Sequence, residues 1–173
     1  TIVLAYLLAM YLRFTRSWFS KAIGFLYLLP RFVPSMVAVY AMIVVIRNSG
    51  FLNRFMALFG VNFQPNLMYN ANGIVMMNLW FNIPFAAMII AASMGGVRDS
   101  LVESALDAGA GKWMVFRSII LPLTYKDALV AATFVFMTNV GSFTTPYLMG
   151  GNAPKLLGVD LFNQFNSYGD YEK

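Results

Sequence analysis

The sequence predicts an all-α protein, built as a polytopic bundle of transmembrane helices. Hydrophobic residues make up 60% of the 173 residues, and the mean hydropathy is +0.67. Soluble domains contain roughly 45–50% apolar residues. Charged residues make up only 11% of the chain and separate apolar stretches that are long enough to cross a bilayer as helices. Residues 1–173 are expected to form a single membrane domain, because no internal repeat is visible.

The composition also restricts the chemistry of the chain. It contains no Cys and no His, which removes thiolate metal sites and the commonest general base. The apolar segments carry no paired acidic residues, so we expect no catalytic residue and no metal site, and an intramembrane enzyme is disfavoured. The net charge of +5 is scattered among these segments instead of being clustered on one solvated face. We therefore expect no nucleic-acid partner.

Two apolar segments precede the first long loop. Residues 1–12 are too short to cross a hydrocarbon core of roughly 30 Å, so we expect the end of a helix that begins before Thr1. Residues 22–46 are long enough to span the membrane. Pro30 and Pro34 each remove a helix hydrogen bond, which predicts a kinked helix in this segment.

Two further spans follow in the second half of the chain. Residues 72–94 form one of them, with Pro84 near its middle. Residues 119–143 form the other, and Pro122 marks its start. Both segments have the length and the apolar character of a membrane-crossing helix.

Three segments between and after these spans are predicted to lie outside the hydrocarbon core. Residues 47–71 carry apolar side chains at helical spacing among Gly and Asn, which indicates a short amphipathic helix on the external interface. Residues 95–118 form a charged loop, and residues 144–173 form a polar external loop.

The distribution of basic residues predicts the orientation of these loops. If residues 1–12 run inward, the cytoplasmic segments carry more basic residues than the external ones, as membrane proteins prefer. The cytoplasmic residues are then Arg13, Arg16, Lys21, Arg98, Lys112 and Arg117, and the external ones are Arg47, Arg54 and Lys155. This orientation places the charged loop on the cytoplasmic side.

The loop at residues 95–118 is predicted to contain two short helices joined at Gly109, where glycine permits a left-handed turn. Ser100 and Glu103 have the spacing of a capping box, which predicts the start of the first helix. Small side chains give this helix a narrow surface that suits insertion into a cleft of a partner; they are Ala105, Ala108 and Ala110. A plain amphipathic linker on the bilayer surface remains the alternative.

The same loop carries a family resemblance. Glu103, Ala105, Gly109, Ile119, Leu121 and Pro122 match the pattern E-A-A-x3-G-x9-I-x-L-P at every spacing, with Ser104 in place of the second residue. This pattern is similar to the signature of the membrane subunits of binding-protein-dependent ABC importers. The resemblance covers nearly the whole chain in hydropathy and loop order, and it is specific over residues 103–123.

The resemblance implies a type I ABC importer permease fold with a cytoplasmic coupling helix that docks on an ABC ATPase subunit. The implied ATPase-coupling residues are Glu103, Ser104, Ala105, Leu106, Asp107, Ala108 and Gly109. The further implied partners are a second permease subunit, identical or homologous, an external substrate-binding protein and membrane lipid. No cofactor is expected on this chain, since ATP and Mg²⁺ would bind the ATPase.

The implied location is the bacterial plasma (inner) membrane, with several passes. The family core has a further helix at each end, so the resemblance also implies that the chain is a fragment. A membrane assembly protein without transport activity, using the loop only as a surface anchor, is the alternative from a different functional class.

The last quarter of the chain resembles one branch of this family. The stretch N-V-G-S-F-T-T-P-Y-L-M-G-G at residues 139–151, followed by residues 157–165, is similar to permeases for polyamines and to their relatives for phosphonates, opines, iron and thiamine. The run P-Y-L-M-G-G favours spermidine or putrescine as the cargo. Only Asp127 offers a carboxylate in the spans, however, and Arg31 suits an anion such as a phosphonate.

Candidate pathway-lining residues are the polar or charged residues in and next to the spans, and each has a structural alternative. They are Arg31, Asn78, Asn82, Asn139, Phe143 and Thr144. The arginine can instead bind carbonyls freed by the neighbouring prolines, and the two asparagines of the 72–94 span can join helices. Lys126 and Asp127 are adjacent, so they point in different directions, and we expect an interfacial role for them.

Overall fold

A computed structural model describes residues 1–15, 17–62, 66–150 and 156–168 of the chain, and all the regular secondary structure in these ranges is helical, as predicted. The α-helices are α1 (Ile2–Phe14), α2 (Trp18–Leu26), α3 (Ser35–Ile46), α4 (Phe51–Ala57), α5 (Ala71–Gly95), α6 (Asp99–Asp107), α7 (Lys112–Val115), α8 (Leu121–Val140), α9 (Thr144–Met149) and α10 (Leu157–Asn163). A 3₁₀ turn covers Leu29–Phe32, and wider π turns cover Phe116–Ile120 and Gln164–Tyr168.

Three helical stretches are long and apolar enough to cross a membrane: Ser35–Ala57, Ala71–Gly95 and Lys112–Val140. The first of them is interrupted, because the backbone of Arg47 is extended at φ −58° and ψ 153°. Helix α3 ends there, and α4 begins after Gly50. The other two stretches are uninterrupted, and α5 agrees closely with the predicted span at residues 72–94.

The prediction of one kinked helix over residues 22–46 is wrong. The segment contains the end of α2, the 3₁₀ turn and α3, with Pro34 in an extended conformation immediately before α3. Pro30 and Pro34 both lack a donor N–H, and each ring opposes the carbonyl four residues earlier. Two such interruptions four residues apart divide the segment into separate helices.

The span predicted at residues 119–143 begins earlier than expected. Helical backbone runs from Lys112 through the π turn at Phe116–Ile120 into α8. The N–H of Leu121 donates to the carbonyl of Phe116, five residues earlier, immediately before Pro122. Pro122 therefore lies inside a helical stretch. Because proline has no N–H to donate, the regular hydrogen-bond pattern is broken at Pro122, and the wider π turn lies immediately before this break.

Residues 144–173 are not a plain loop, which corrects the prediction for the part of this segment that the structure describes. Helix α9 follows α8 directly, and α10 continues into the second π turn. Met149 at the end of α9 is fully buried, so apolar packing outweighs the turn-forming composition. Arg16 and Lys155, which contribute to the predicted orientation, and Gly151 at the end of the 139–151 run lie outside the described residues.

The contacts divide the chain into two compact units. The first unit comprises Thr1–Arg31 and Asn82–Phe136, and the second comprises Phe32–Phe81 and Met137–Lys173. In the second unit, buried side chains of α3, α5 and α9 pack together; they are Ala38, Val39, Ile46, Met77 and Met149. This cluster explains why α9 folds against α3 despite its short length.

Alanines dominate the core of the first unit where α1, α5 and α8 meet. Ala5 and Ala9 of α1, Ala86 and Ala87 of α5, and Ala128 and Ala131 of α8 are all buried in one cluster. Small side chains at such contacts allow helix backbones to approach closely in a membrane. Tyr6 adds an edge-on ring contact to Phe116, with centroids 6.1 Å apart.

One buried hydrogen bond joins α1 to α8 in this core. The Thr124 hydroxyl lies 2.7 Å from the carbonyl oxygen of Ile120 and donates to it, since a carbonyl can only accept. The Tyr6 hydroxyl lies 2.9 Å from the Thr124 oxygen, so Tyr6 is the donor in that pair. Both buried hydroxyls therefore have a hydrogen-bond partner.

Two glycines close the same kind of helix-ending turn. Gly109 has φ +85° after α6, and Gly60 has φ +75° after α4. After α6, the N–H of Ala110 donates to the carbonyl of Ala105, and that of Gly109 to the carbonyl of Leu106, both at 2.9 Å. The equivalent bonds after α4 join Val61 to Met56 and Gly60 to Ala57; this pair of bonds defines the Schellman motif. The predicted left-handed turn at Gly109 is confirmed.

Replacing Tyr6 by Phe is expected to lower the free energy of unfolding by about 0.5–1.5 kcal/mol, because a buried hydrogen bond is lost. Unfolding with denaturing detergent in mixed micelles measures this change. Tyr11→Phe is the matched control, since Tyr11 on the same helix is 38% exposed. A double variant that adds Thr124→Val should cost less than the sum of the single changes. Equal effects of the two tyrosine variants would contradict the assignment.

Gly109→Ala is expected to destabilise the end of α6 by about 1 kcal/mol, since a side chain disfavours the left-handed backbone. Hydrogen exchange at the Ala110 amide should then become about five times faster. Gly111→Ala is the control, because Gly111 has φ −69° and an added Cβ meets no atom within 4 Å at either position. Similar exchange in both variants would show that backbone strain at Gly109 does not hold the turn.

Candidate functional site

Helix α6 turns one side towards the core of the first unit and the other side outward. Val102, which is 9% exposed, belongs to the buried cluster, and Ala105 packs partly against it. Glu103, Ser104 and Asp107 are exposed on the opposite side. The helix is therefore amphipathic, and its outward side carries two carboxylates and a hydroxyl.

The start of α6 differs from the prediction. Arg98 occupies the capping position with an extended backbone, no side chain caps the helix, and Asp99 is its first residue. Ser100 is already helical, so the predicted capping box with Glu103 is wrong. Asp99 instead places a carboxylate in the first turn, where the helix dipole favours negative charge.

Asp99 and the backbone before it are held by an arginine at the end of α1. One nitrogen of the Arg13 guanidinium lies 2.6 Å from the Asp99 carboxylate and 2.7 Å from the carbonyl oxygen of Val97. The Arg13 side chain is 22% exposed, whereas that of Asp99 is 64% exposed. Arg13 of α1 therefore donates to both residues that flank Arg98, to the backbone of Val97 and to the side chain of Asp99.

The far end of α6 forms one wall of a shallow cleft of about 340 Å³. Small residues line the α6 side and larger ones line the following helical stretch; they are Ala105, Ala108, Gly109 and Ala110, with Met114, Val115, Ser118 and Ile119 opposite. The predicted small-residue face is only partly outward, because Ala105 and Ala110 pack against the core. Ala108 and Gly109 are the exposed members of this set.

The predicted coupling residues thus occupy one short helix and its terminal turn. Glu103, Ser104, Leu106, Asp107, Ala108 and Gly109 are exposed, and Ala105 lies at the edge of the core. Among the described residues, no group of three or more acidic side chains is placed to hold a metal ion. The arrangement offers an exposed, partly apolar helix end with a cleft beside it, which suits contact with another protein.

Arg31 lies in the 3₁₀ turn and is exposed. Its guanidinium carbon is 4.8 Å from the centre of the Phe85 ring on α5, which is within the range of a cation–π contact. Phe85 in turn meets Phe134 of α8 edge-on, with centroids 6.0 Å apart. The guanidinium therefore lies over an aromatic surface.

The other candidate pathway residues lie on α5 and near the end of α8. Asn78 and Asn82 are partly buried and one turn apart on α5. Asn139 is near the end of α8, and Thr144 begins α9; both are partly buried. Phe143 stacks against Tyr147 at 4.9 Å and lies 4.7 Å from Phe162, so its ring belongs to an aromatic cluster.

Two polar pairs in the first unit have no signal in the sequence. The Arg13–Asp99 pair joins residues 86 positions apart. In the sequence alone, Arg13 is indistinguishable from the other basic residues that are predicted to lie in cytoplasmic loops. The Ser93 hydroxyl of α5 donates to the Asp127 carboxylate of α8. Asp127 therefore joins two helices, beyond the interfacial role predicted for it. A sequence shows residue types and spacings, and it does not show which helix ends meet.

A family model described as "binding-protein-dependent transport system inner membrane component" matches residues 1–172. The chain is 28% identical over 171 residues to the spermidine/putrescine transport system permease protein PotB of Salmonella typhimurium, covering 98% of this chain and 60% of the relative. It is 25% identical over 159 residues to the molybdenum transport system permease protein ModB of Azotobacter vinelandii, covering 90% of this chain and 69% of that one.

The fold is similar to a chain in the crystal structure of a bacterial ABC transporter involved in the import of the acidic polysaccharide alginate. The TM-score is 0.74 at 19% identity, covering 97% of this chain and 62% of that one. The chain spans about 60% of the length of the PotB relative. These similarities agree with the helix order, the loop and the signature described above, and the chain belongs to the family of binding-protein-dependent transport system inner membrane components.

Proposed function

We propose that this chain is part of the permease subunit of an ABC importer, and that the end of α6 couples it to a separate ATPase subunit. The observation that carries the proposal is the left-handed turn at Gly109, which closes an exposed helix end inside the family signature. The membrane helices would form part of the translocation pathway. ATP and Mg²⁺ would bind the ATPase, and this chain would contribute no catalytic residue.

The exposed residues of α6 suit a docking surface. Glu103 and Asp107 present carboxylates one turn apart, and Leu106 adds an apolar side chain that is partly open to solvent. The cleft beside Ala108 and Gly109 has room for a side chain of a partner. Closure of an ATPase pair around such a helix would move α6, and the membrane helices would rock between inward-facing and outward-facing states.

The remaining partners follow from the same proposal. A second permease subunit would complete the pathway, and an external substrate-binding protein would deliver the cargo. We infer a polyamine, spermidine or putrescine, because the PotB relative matches nearly the whole chain and the P-Y-L-M-G-G run supports the same branch.

An anionic cargo such as a phosphonate is the second candidate. The exposed Arg31 guanidinium, which lies over the Phe85 ring, is the observation that favours it. The match to a molybdenum permease protein shows that the chain is also similar to relatives with other cargoes. Opine, iron and thiamine permeases share the same sequence resemblance.

Replacing Gly109 by Trp is expected to lower ATP-dependent uptake of radiolabelled spermidine at least about ten-fold in proteoliposomes that contain the assembled complex. The bulky side chain would strain the turn and fill the docking surface. Gly60→Trp is a matched control, since Gly60 has the same turn, a positive φ and open space around its added Cβ. The charge distribution predicts that Gly60 lies on the external side, away from the ATPase.

Equal loss of uptake in both variants would contradict a coupling role for the end of α6. Absence of spermidine uptake by the wild-type complex, together with uptake of a phosphonate, would replace the polyamine by the anionic cargo. A wild-type chain that recruits no ATPase at all would favour the membrane assembly protein.

A further inference from the structure

We infer that Arg13 is a positioning residue that fixes the start of α6 to the end of α1, so that movement of α6 is passed to the membrane helices. This inference rests on the proposed coupling function of α6. Arg13 bonds both the Asp99 carboxylate and the Val97 carbonyl, at 2.6 Å and 2.7 Å. Among the described residues, this is the one ion pair between charged side chains.

The backbone that connects α5 to α6 contains two glycines and is therefore expected to bend easily when α6 moves. Helix α5 ends at Gly95, and Gly96 follows without a side chain; both glycines are exposed. An added Cβ at Gly95 would meet no atom within 4 Å, so no neighbouring side chain packs against this point, and the turn is held by hydrogen bonds from the Gly96 and Val97 amides to the carbonyls of Ser93 and Met94. The first anchored residue after the glycines is Val97, whose side chain is buried in the core cluster and whose carbonyl accepts a hydrogen bond from Arg13.

Apolar packing between α1 and the loop is incomplete at the same level. A cavity of about 260 Å³ separates the end of α1 from α6 and α7. It is lined by Met10, Tyr11 and Phe14 on one side, and by Val102, Leu106, Lys112 and Val115 on the other. Side chains across a cavity lose contacts, so the connection between α1 and α6 at this level depends on the Arg13 bonds and on the buried side chain of Val102.

The opposite end of the loop is joined differently. After the turn at Gly109, helical backbone runs continuously from Lys112 into α8. The two hydrogen bonds donated by the Gly109 and Ala110 amides hold the turn between α6 and this stretch. Movement of α6 therefore reaches α8 through the backbone, and it reaches α1 through the Arg13 side chain. Since α1 and α8 also meet at Tyr6 and Thr124, the two connections end on the same helix pair.

The experiment compares Arg13→Gln with wild type in the reconstituted complex, with spermidine as the probe. Spermidine uptake and ATP hydrolysis are measured in the same vesicles, and the ratio of the two is expected to fall roughly five-fold in the variant. ATPase recruitment should be unchanged, because the exposed face of α6 is intact. Arg98→Gln is the control, since this neighbouring arginine is exposed and forms no ion pair with any residue in the described part of the chain.

Further variants separate positioning from a general structural role. Arg13→Lys should restore part of the ratio, since a lysine keeps the charge and can reach one acceptor. Adding Asp99→Asn to Arg13→Gln should lower the ratio no further, because the bond is already absent. An unchanged ratio in Arg13→Gln, or equal loss of uptake and recruitment at an unchanged ratio, would overturn the inference.

Hydrogen exchange of the α6 amides provides a readout that does not need a cargo. Arg13→Gln is expected to speed exchange at Leu101 and Val102, and Arg98→Gln is not. If the wild-type complex imports nothing, the proposed function is wrong. Faster exchange in Arg13→Gln would then still support the inference that Arg13 fixes the start of α6 to α1. Unchanged exchange in that case would overturn this inference as well.

Discussion

The position of the loop at residues 95–118 depends on the close packing of α1, α5 and α8, which meet through alanine side chains. Water is absent from a bilayer interior, so apolar attraction to lipid does not distinguish one helix neighbour from another. Complementary shape and hydrogen bonds instead determine which helices pack together. Ala5, Ala86 and Ala131 provide the close fit in the first unit, and the Tyr6–Thr124 bond provides a polar contact that fixes which faces meet.

Helix α6 is attached to this core by three different kinds of interaction. Val102 buries an apolar side chain in the cluster, Arg13 bonds the start of the helix, and the Gly109 turn joins its end to the stretch that continues into α8. Such a short helix would not be stable in isolation. Its exposed face can therefore serve a partner, because its stability depends on the opposite face and on its two ends.

The parts of the fold that were predictable are those governed by local physics. A predominantly apolar run of sufficient length predicts α5, and the need for a left-handed residue predicts the turn at Gly109. The family pattern around that turn also locates the candidate site. These features can be read from the sequence because each depends on residues that are neighbours in the chain.

The features that were missed depend on contacts between distant residues. Helix α9 folds because Met149 packs against α3, which outweighs a turn-forming composition. The start of α6 moves to Asp99, whose carboxylate accepts a hydrogen bond from Arg13, a residue 86 positions away in the chain. The sequence correctly indicates that Pro30 and Pro34 disturb the helix. Two such interruptions about one turn apart, however, end the helix instead of only kinking it.

If Arg31 lines the translocation pathway, the choice between the two proposed cargoes depends on how much water surrounds its guanidinium. At a distance of about 10 Å, two unit charges repel by about 0.4 kcal/mol in water and about 1.7 kcal/mol at an effective dielectric constant of about 20. A polycation multiplies these values by its charge. In a wide, water-filled pathway, Arg31 would therefore hardly select against a polyamine. In a narrow and dry one, the guanidinium over Phe85 would exclude it and attract an anion.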